Sequence, residues 1–454
     1  MAKRAKMKLK RTIRLSPFQV IVLLYLTGAV FSSFLLLLPI AHKPGVDIAF
    51  IDAVFVAVSA LSVTGLTPVS TVDTFSTTGY FFILLILQVG GVGIMTFSSM
   101  VWLLFGKRIG MRERQLIMAD QNRTDLSGLV KLMREIFLLI LAIEAVGALV
   151  LGVYFMPFYP TAAEAFLHGL FASVSATTNG GFDITGASLL PYANDYFVQA
   201  VHMVLIILGA IGFPVLIEVK DFLSYRGTRK FTFSLFTKLA VFMYFFLALS
   251  GIAGLLLFEH KNFLADKSWH ESIFYTAFQS VAARSGGLTT MDLNDFSTPS
   301  LLLLSMLMFI GASPSSVGGG LRTTTVAIAA LSIFTFARGK NTIKVFHREV
   351  DPIDIHRSFV VVATGSFIWC MSIMLLSYLE PEVALLPIIY EASSAFGTTG
   401  SSLGITGVIG TPAKMILIML MFIGRVGLFS LLFLIRGKEI KDSYHYPKER
   451  ILIG

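Results

Sequence analysis

Eight long apolar runs alternate along the chain with four runs of about half their length. The long runs are Pro17–Ile40, Tyr80–Phe105, Ile136–Met156, Tyr196–Ile217, Leu239–Phe258, Leu301–Phe336, Phe359–Leu379 and Met415–Ile435. A hydrocarbon core of ~30 Å takes about 20 helical residues, so each long run predicts a transmembrane helix. Leu301–Phe336 is too long for one crossing and is interrupted by polar residues. The short runs are Ala49–Ser62, Ala163–Thr177, Ser272–Arg284 and Leu386–Gly397. Their length is re-entrant: a helix that enters the membrane and stops inside it.

Each short run ends in a polar, glycine-containing stretch: VTGLT (Val63–Thr67), NGGFD (Asn179–Asp183), SGGLT (Ser285–Thr289) and TTGSS (Thr398–Ser402). Aligned on their third letters these give Gly65, Gly181, Gly287 and Gly400, separated by 116, 106 and 113 residues. An alanine stands five residues before each: Ala60, Ala176, Ala282 and Ala395. A second landmark follows 24 to 28 residues later, beginning at Gly90 (GGVG), Gly209 (GAIG), Gly311 (GASP) and Gly424 (GRVG). One Thr-Gly pair would be an ordinary loop turn; four copies with both landmarks in register are an internal repeat.

The repeat predicts an all-α membrane protein of four tandem helix–pore loop–helix units, eight transmembrane helices with fourfold pseudosymmetry around one pore. The units are residues 17–106, 131–225, 235–340 and 355–437, flanked by a basic N-terminus (1–16) and a C-terminus (438–454). A half-helix stopping at mid-membrane leaves backbone carbonyls exposed, which is tolerated only where they line a water-filled path or are buried in protein. Rings of such carbonyls can replace the hydration shell of a monovalent cation. Glycine admits the backbone conformations this requires, and the helix C-termini add about half a negative charge each. The candidate ion-binding residues are therefore Val63, Thr64 and Gly65; Asn179, Gly180 and Gly181; Ser285, Gly286 and Gly287; and Thr398, Thr399 and Gly400.

Composition agrees with the pattern: 55% of the residues are hydrophobic and only 14% charged, well under a soluble chain's charged fraction. Of 36 Lys and Arg residues, four (Lys43, Lys261, Lys267, Lys414) fall on one side of the predicted membrane and three (Arg284, Arg322, Arg425) within it. The rest lie in the termini and the loops joining the units, which puts both termini in the cytoplasm. The first apolar run is too long for a signal-peptide core, so it reads as a retained span. About thirteen acids face the outer side against those four bases, a rim that attracts cations. The single cysteine, Cys370, excludes an intrachain disulfide and reads as packing. No zinc-protease, Walker or dinucleotide fingerprint is present, and no catalytic pair appears in the spans, which disfavours a membrane enzyme. A secondary transporter for an organic solute would show two inverted repeats rather than four in one orientation.

The four glycine stretches and their spacing resemble the Trk/Ktr/HKT superfamily of potassium transporters, most closely its Ktr-type (KtrB-like) membrane subunits, over nearly the whole chain. The resemblance implies that Gly65, Gly181, Gly287 and Gly400 are selectivity-filter glycines and that potassium is the transported ion. Sodium is implied as an activator or co-ion, and a sodium-permeable or sodium-coupled transporter of the same architecture is the alternative. NGGFD and TTGSS depart from a T-x-G pattern. The resemblance further implies a homodimer in the plasma membrane, no covalent cofactor, and a cytosolic ring of nucleotide-binding subunits, with nucleotide on that partner alone and lipid around the spans. Nucleic acid is not an expected partner. The basic loops Lys107–Arg114 and Arg226–Lys230 are the expected docking face.

The third unit breaks where a helix should run: Gly311, Ala312, Ser313, Pro314, Ser315, Ser316, Val317, Gly318, Gly319 and Gly320. Kept helical, four glycines and a proline would cost about 7 kcal/mol relative to alanine. Register places the break beneath the filter, where a polar irregular segment must face a cavity, and the family resemblance implies a gating loop. Arg425 aligns with Ala312 at the same depth. It is expected to face the pore and hold the loop closed through its carbonyls. Arg284, just ahead of the third stretch, is expected only to brace from behind. Glu144 and Glu391 are membrane acids read as structural hydrogen-bonding groups.

Overall fold

The computed structural model describes residues 16–104, 109–120, 128–227 and 230–435, together with Tyr444, Tyr446, Pro447, Glu449 and Ile451. Most of the predicted terminal segments, and Lys107, Arg108 and Arg229 of the two basic loops, lie outside the described residues. Among the described residues the regular structure is helical apart from a two-stranded hairpin, β1 (Lys344–Val345) and β2 (Arg348–Glu349).

Four long helices open the four units: α1 (Pro17–Leu37), α6 (Leu129–Phe155), α10 (Leu235–Glu259) and α14 (Pro352–Leu379). Their starts are encoded locally. Ser16 forms a capping box with Gln19 ahead of Pro17, and the Asp351 side chain accepts from Ile353 N ahead of Pro352, each arrangement satisfying amides that the helix start leaves free. Between a fifth and a third of each long helix is buried inside the protein (33%, 33%, 33% and 22% of the apolar window). A helix apolar on all sides and buried on so few belongs against lipid.

Four shorter helices sit inside this ring: α2 (Phe50–Leu61), α7 (Ala162–Thr177), α11 (Trp269–Ala282) and α15 (Leu385–Gly397). At 12 to 16 residues they reach roughly 18–24 Å, short of a crossing. Their C-terminal halves are almost wholly buried, as in the runs Phe55–Leu61 and Tyr390–Gly397.

The second helix of every unit is broken, which corrects the reading of Tyr80–Phe105, Tyr196–Ile217 and Met415–Ile435 as continuous spans. In the first two units α3 (Thr77–Val92) and α4 (Ile94–Leu104) meet at 102°, and α8 (Tyr196–Ala210) and α9 (Phe213–Ser224) at 103°. In the fourth, α16 (Thr411–Val426) is separated from α17 (Leu428–Ile435) by Gly427. The breaks fall at the last glycine of each landmark: Gly93, Gly212 and Gly427 have φ of 91°, 108° and 87°, which a right-handed helix does not allow. In the third unit the break widens into the whole 310–322 segment between α12 (Thr298–Phe309) and α13 (Thr323–Ala337). The short helix α5 (Met111–Asp120) lies between the first two units.

Four hydrophobic clusters join the units in a closed order. Phe171 and Val174 of α7 pack into the core of the first unit, and Phe278 and Val281 of α11 pack with Leu151 and Leu205 of the second. Tyr390 of α15 packs with the third unit, and Phe55 and Val58 of α2 pack with the fourth. The last seam also carries an ion pair, Lys414 Nζ to Asp52 Oδ1 at 2.7 Å, with side chains only 10% and 17% exposed. Lys414→Met leaves Asp52 as an unpaired, mostly buried charge, a loss of about 3 kcal/mol. Thermal unfolding in detergent is expected to show it, with most of the loss recovered in the double variant Lys414→Met/Asp52→Asn.

Candidate functional site

All four glycine stretches leave their half-helices through a residue of positive φ, three of them in the left-handed helical region and the third stretch, at Ser285, more extended. Their first residues, Val63, Asn179, Ser285 and Thr398, have φ of 57°, 53°, 125° and 49°. Their glycines, Gly65, Gly181, Gly287 and Gly400, have φ of 95°, 65°, 66° and 95°. Positive φ at a β-branched residue is uncommon and costs on the order of 1–3 kcal/mol, so its presence at Val63 and again at Thr398 marks a conformation imposed by the surroundings.

The four glycines form a closed ring. A Cβ added to Gly65 would lie 2.6 Å from the Gly180 carbonyl oxygen and 2.9 Å from Gly181 Cα. One on Gly181 would lie 3.3 Å from both Gly65 Cα and Gly287 Cα, and one on Gly287 would lie 3.2 Å from Gly400 Cα and strike the Thr399 carbonyl. One on Gly400 would lie 2.9 Å from Gly65 Cα and strike the Thr64 carbonyl. Main-chain carbonyls thus fill the space that side chains would take. The C-termini of α2, α7, α11 and α15 end at this ring, and each adds about half a negative charge.

A serine six residues before the glycine fastens three of the stretches. Ser59 Oγ accepts from Gly65 N at 3.1 Å, Ser394 Oγ accepts from Gly400 N at 3.0 Å, and Ser175 Oγ donates to Phe182 O at 2.6 Å. The third unit has Val281 at that place. There Ser285 Oγ instead donates to Thr398 O at 3.1 Å, tying the third stretch to the fourth. This serine was readable from the repeat alignment, and sequence reasoning passed over it. Asn179, with its amide turned to satisfy both ends, donates to Ile206 O and Ala176 O and accepts from Ala210 N (3.2, 3.0 and 3.2 Å). It joins the second stretch to the break in α8.

The landmark glycines have a matching task. A Cβ on Gly90, Gly209 or Gly424 would strike the carbonyl of Leu61, Thr177 or Phe396, four residues before the ring glycine of the same unit. Each second helix therefore presses directly on the end of its half-helix. Gly311 departs from this, since its neighbours are Gly319 and Gly320 of its own loop.

The 311–320 loop touches all four units. Ser313 N and Val317 N donate to Ala210 O and Gly209 O at 3.1 and 3.2 Å, and Phe213 N donates to Ser315 O at 2.8 Å. Gly319 N donates to Thr398 Oγ1 at 2.7 Å, and Gly320 N to Gly424 O at 3.2 Å. Val317, 1% exposed, packs into the core of the first unit beside Gly91. The loop is thus bonded to Thr398 of the ring and to the helix breaks of the second and fourth units.

Three arginines, Arg284 and Arg425 buried and Arg322 partly buried, divide differently from the sequence expectation. Arg425 Nη2 donates to the carbonyls of Gly90 and Gly91 in the first unit; its hydrogen bonds do not go to the loop. The residue aligns with Ala312 in sequence, but the turn of α16 directs its side chain across the 4–1 seam. The loop is held by arginines of its own unit. Arg284 Nη2 donates to Gly311 O at 2.6 Å, and Arg322 Nη1 donates to Gly318 O and, at 3.3 Å, to Ser313 O.

The two membrane acids have partners. Glu144 accepts from Gln88 Nε2, between α6 and α3, and Glu391 accepts from Ser402 Oγ and Thr406 Oγ1 behind the fourth stretch. Cys370 is exposed on the outer surface of α14. Of the two basic loops, Arg114, Arg226 and Lys230 are described and exposed. Among the described residues no three His, Cys, Asp or Glu side chains gather as metal ligands.

Comparison with known proteins places nearly the whole chain in one family. The family of cation transport proteins named TrkH matches residues 17–444. The chain is 52% identical over 440 residues to Ktr system potassium uptake protein D of Bacillus subtilis, covering 97% of this chain and 98% of that protein. It is 32% identical over 457 residues to Ktr system potassium uptake protein B of the same organism, covering 99% of each. Against the potassium/sodium uptake protein NtpJ of Enterococcus hirae it is 32% identical over 454 residues, again covering 99% of each. The crystal structure of the potassium transporter TrkH from Vibrio parahaemolyticus superposes with a TM-score of 0.72 at 21% identity, covering 94% of this chain and 86% of that one. The match therefore extends to the fold. This chain belongs to the TrkH family of cation transport proteins.

Proposed function

We propose that the chain is the ion-translocating subunit of a Ktr-like potassium uptake system, conducting through one pore on the axis of its four units. The observation that carries this reading is the closed ring of Gly65, Gly181, Gly287 and Gly400, reached four times through a residue of positive φ and crowded by main-chain carbonyls. Carbonyl oxygens at the end of four inward-pointing helix dipoles suit a desolvated monovalent cation. The residues Val63–Gly65, Asn179–Gly181, Ser285–Gly287 and Thr398–Gly400 form the filter in this reading, and 311–320 is the gate beneath it.

The unit boundaries 17–106, 131–225, 235–340 and 355–437 follow, with both termini cytoplasmic. The names of the B. subtilis relatives place those proteins in a multi-component system. In our reading this chain likewise works as a homodimer docked on a cytosolic nucleotide-binding ring, which meets the exposed bases Arg114, Arg226 and Lys230. A second reading, sodium permeation beside potassium, is favoured by the unequal filter stretches NGGFD and TTGSS, and the E. hirae relative is named for both ions. Expression in cells lacking potassium uptake tests the proposal. Restored growth at limiting potassium, insensitive to a moderate excess of sodium, supports it. Failure to restore growth with the protein present in the membrane counts against it.

A further inference from the structure

We infer that Arg284 is the latch of the 311–320 loop, a positioning residue that sets how readily the loop leaves its place; this rests on reading that loop as the gate. The chain leaves α12 at Ile310, so the Gly311 carbonyl lies beyond the helix ladder. Arg284 Nη2 meets it at 2.6 Å from the opposite side, from a position one residue ahead of the third filter stretch. One side chain thus touches the entry hinge of the loop while its backbone is continuous with the filter.

Its surroundings are more demanding than a helix cap needs. Arg284 is fully buried, and none of the ion pairs among the described residues includes it. Its guanidinium carbon stands 5.3 Å from the centre of the Tyr244 ring, a cation–π contact that holds the charge without a carboxylate. Nε and Nη1 have no protein acceptor among the described residues. A carbonyl can be capped by one neutral donor; a guanidinium carries five in a fixed fork, and a buried donor without a partner is unfavourable.

The geometry fits a group that trades partners. In the present arrangement Nη2 holds Gly311. When the loop swings about Gly311 and Gly320, loop carbonyls that now bond elsewhere come within reach of Nε and Nη1. The arginine stays in place, and the loop moves across its fork. Arg322 restrains the middle of the loop through Ser313 and Gly318, so Arg284 controls the hinge and Arg322 the body.

The test is rubidium flux into proteoliposomes of the full-length chain at matched protein content, with potassium–sodium competition measured alongside. Arg284→Gln is expected to raise flux roughly fivefold with selectivity unchanged, because the charge-assisted bond to the hinge is lost. Arg284→Lys, which keeps the charge without the fork, is expected to raise it about twofold. With Ser313–Gly318 deleted, Arg284→Gln should add nothing, since the bond to Gly311 acts only through the body of the loop, which is then gone. Unchanged or lower flux in a folded Arg284→Gln chain overturns the latch. So does altered selectivity that persists in the shortened chain, because Arg284 would then be a brace of the filter. Should Arg284→Gln not fold, Arg284→Lys at parental flux is the overturning result. If shortening the loop does not itself raise flux, the gate reading falls and the latch with it; if shortening raises flux and neither Arg284 variant does, the latch alone falls.

Discussion

Deleting Ser313–Gly318 is expected to raise cation flux on the order of fivefold or more, the change that corresponds to about 1 kcal/mol in a closed–open balance. The deletion removes the loop bonds to Gly209, Ala210 and Phe213 in the second unit and the Val317 contact with the first. It leaves the links of Gly319 to Thr398 and of Gly320 to Gly424, so the glycine ring keeps its support. A segment contributed by one unit can occlude a shared axis, and nothing requires the other three to match it. Under the proposed docking on a cytosolic ring, flux should also depend less on that ring, because the element through which it would act is gone. Flux is read in proteoliposomes with the same amount of protein. A shortened chain that folds, retains its ion preference and conducts less than the parent would remove the loop from the gating role.

Substitution of the ring glycines is expected to have the second large effect, graded by the room at each position. Gly65→Ser must displace the Gly180 carbonyl, 2.6 Å from where the new Cβ would sit. It is expected to lower the preference for potassium over sodium roughly tenfold, equivalent to about 1.4 kcal/mol. Gly287→Ser and Gly400→Ser drive a side chain into the carbonyls of Thr399 and Thr64 and should abolish selective uptake. Gly181→Ser, with 3.3 Å to its nearest neighbours, should be the mildest, although its φ of 65° still disfavours any side chain. Competitive uptake in potassium-requiring cells reads the series. Unchanged selectivity at all four positions would sink the assignment of the filter.

The half-helices and the ring were legible because each is written four times. A single Gly65 says little, but Gly65, Gly181, Gly287 and Gly400 with Ala60, Ala176, Ala282 and Ala395 in step mark an internal repeat. The breaks at Gly93, Gly212 and Gly427 were harder to see because the flanking residues stay apolar. Hydropathy registers a crossing and does not register a bend, since lipid and protein interior are equally apolar. The signal was present in the fourth letter of GGVG, GAIG and GRVG, where a glycine takes a positive φ. Arg425 shows a different limit. Alignment fixes the depth of a residue and leaves open which way its side chain turns, and α16 carries Arg425 to the carbonyls of Gly90 and Gly91 instead of to the loop. Arg322 holds the loop from two residues beyond it, and Arg284 meets Gly311 across 27 residues, a closeness that only the folded path reveals. The serines behind the four stretches are hidden in the sequence for a simpler reason. Ser59, Ser175 and Ser394 align, but Val281 interrupts the pattern in the third unit, where Ser285 ties the stretch to Thr398 instead.

The central claim is that carbonyls around the four glycines select potassium on a single conducting axis. Rubidium uptake into sealed proteoliposomes, for the parent and the loop-shortened chain, with potassium or sodium added as competitor, tests it most directly. The account predicts uptake well above protein-free vesicles, suppressed by potassium at about the rubidium concentration and by sodium only at roughly ten times that level. No uptake by either chain, or suppression by sodium and potassium at equal concentrations, would contradict it.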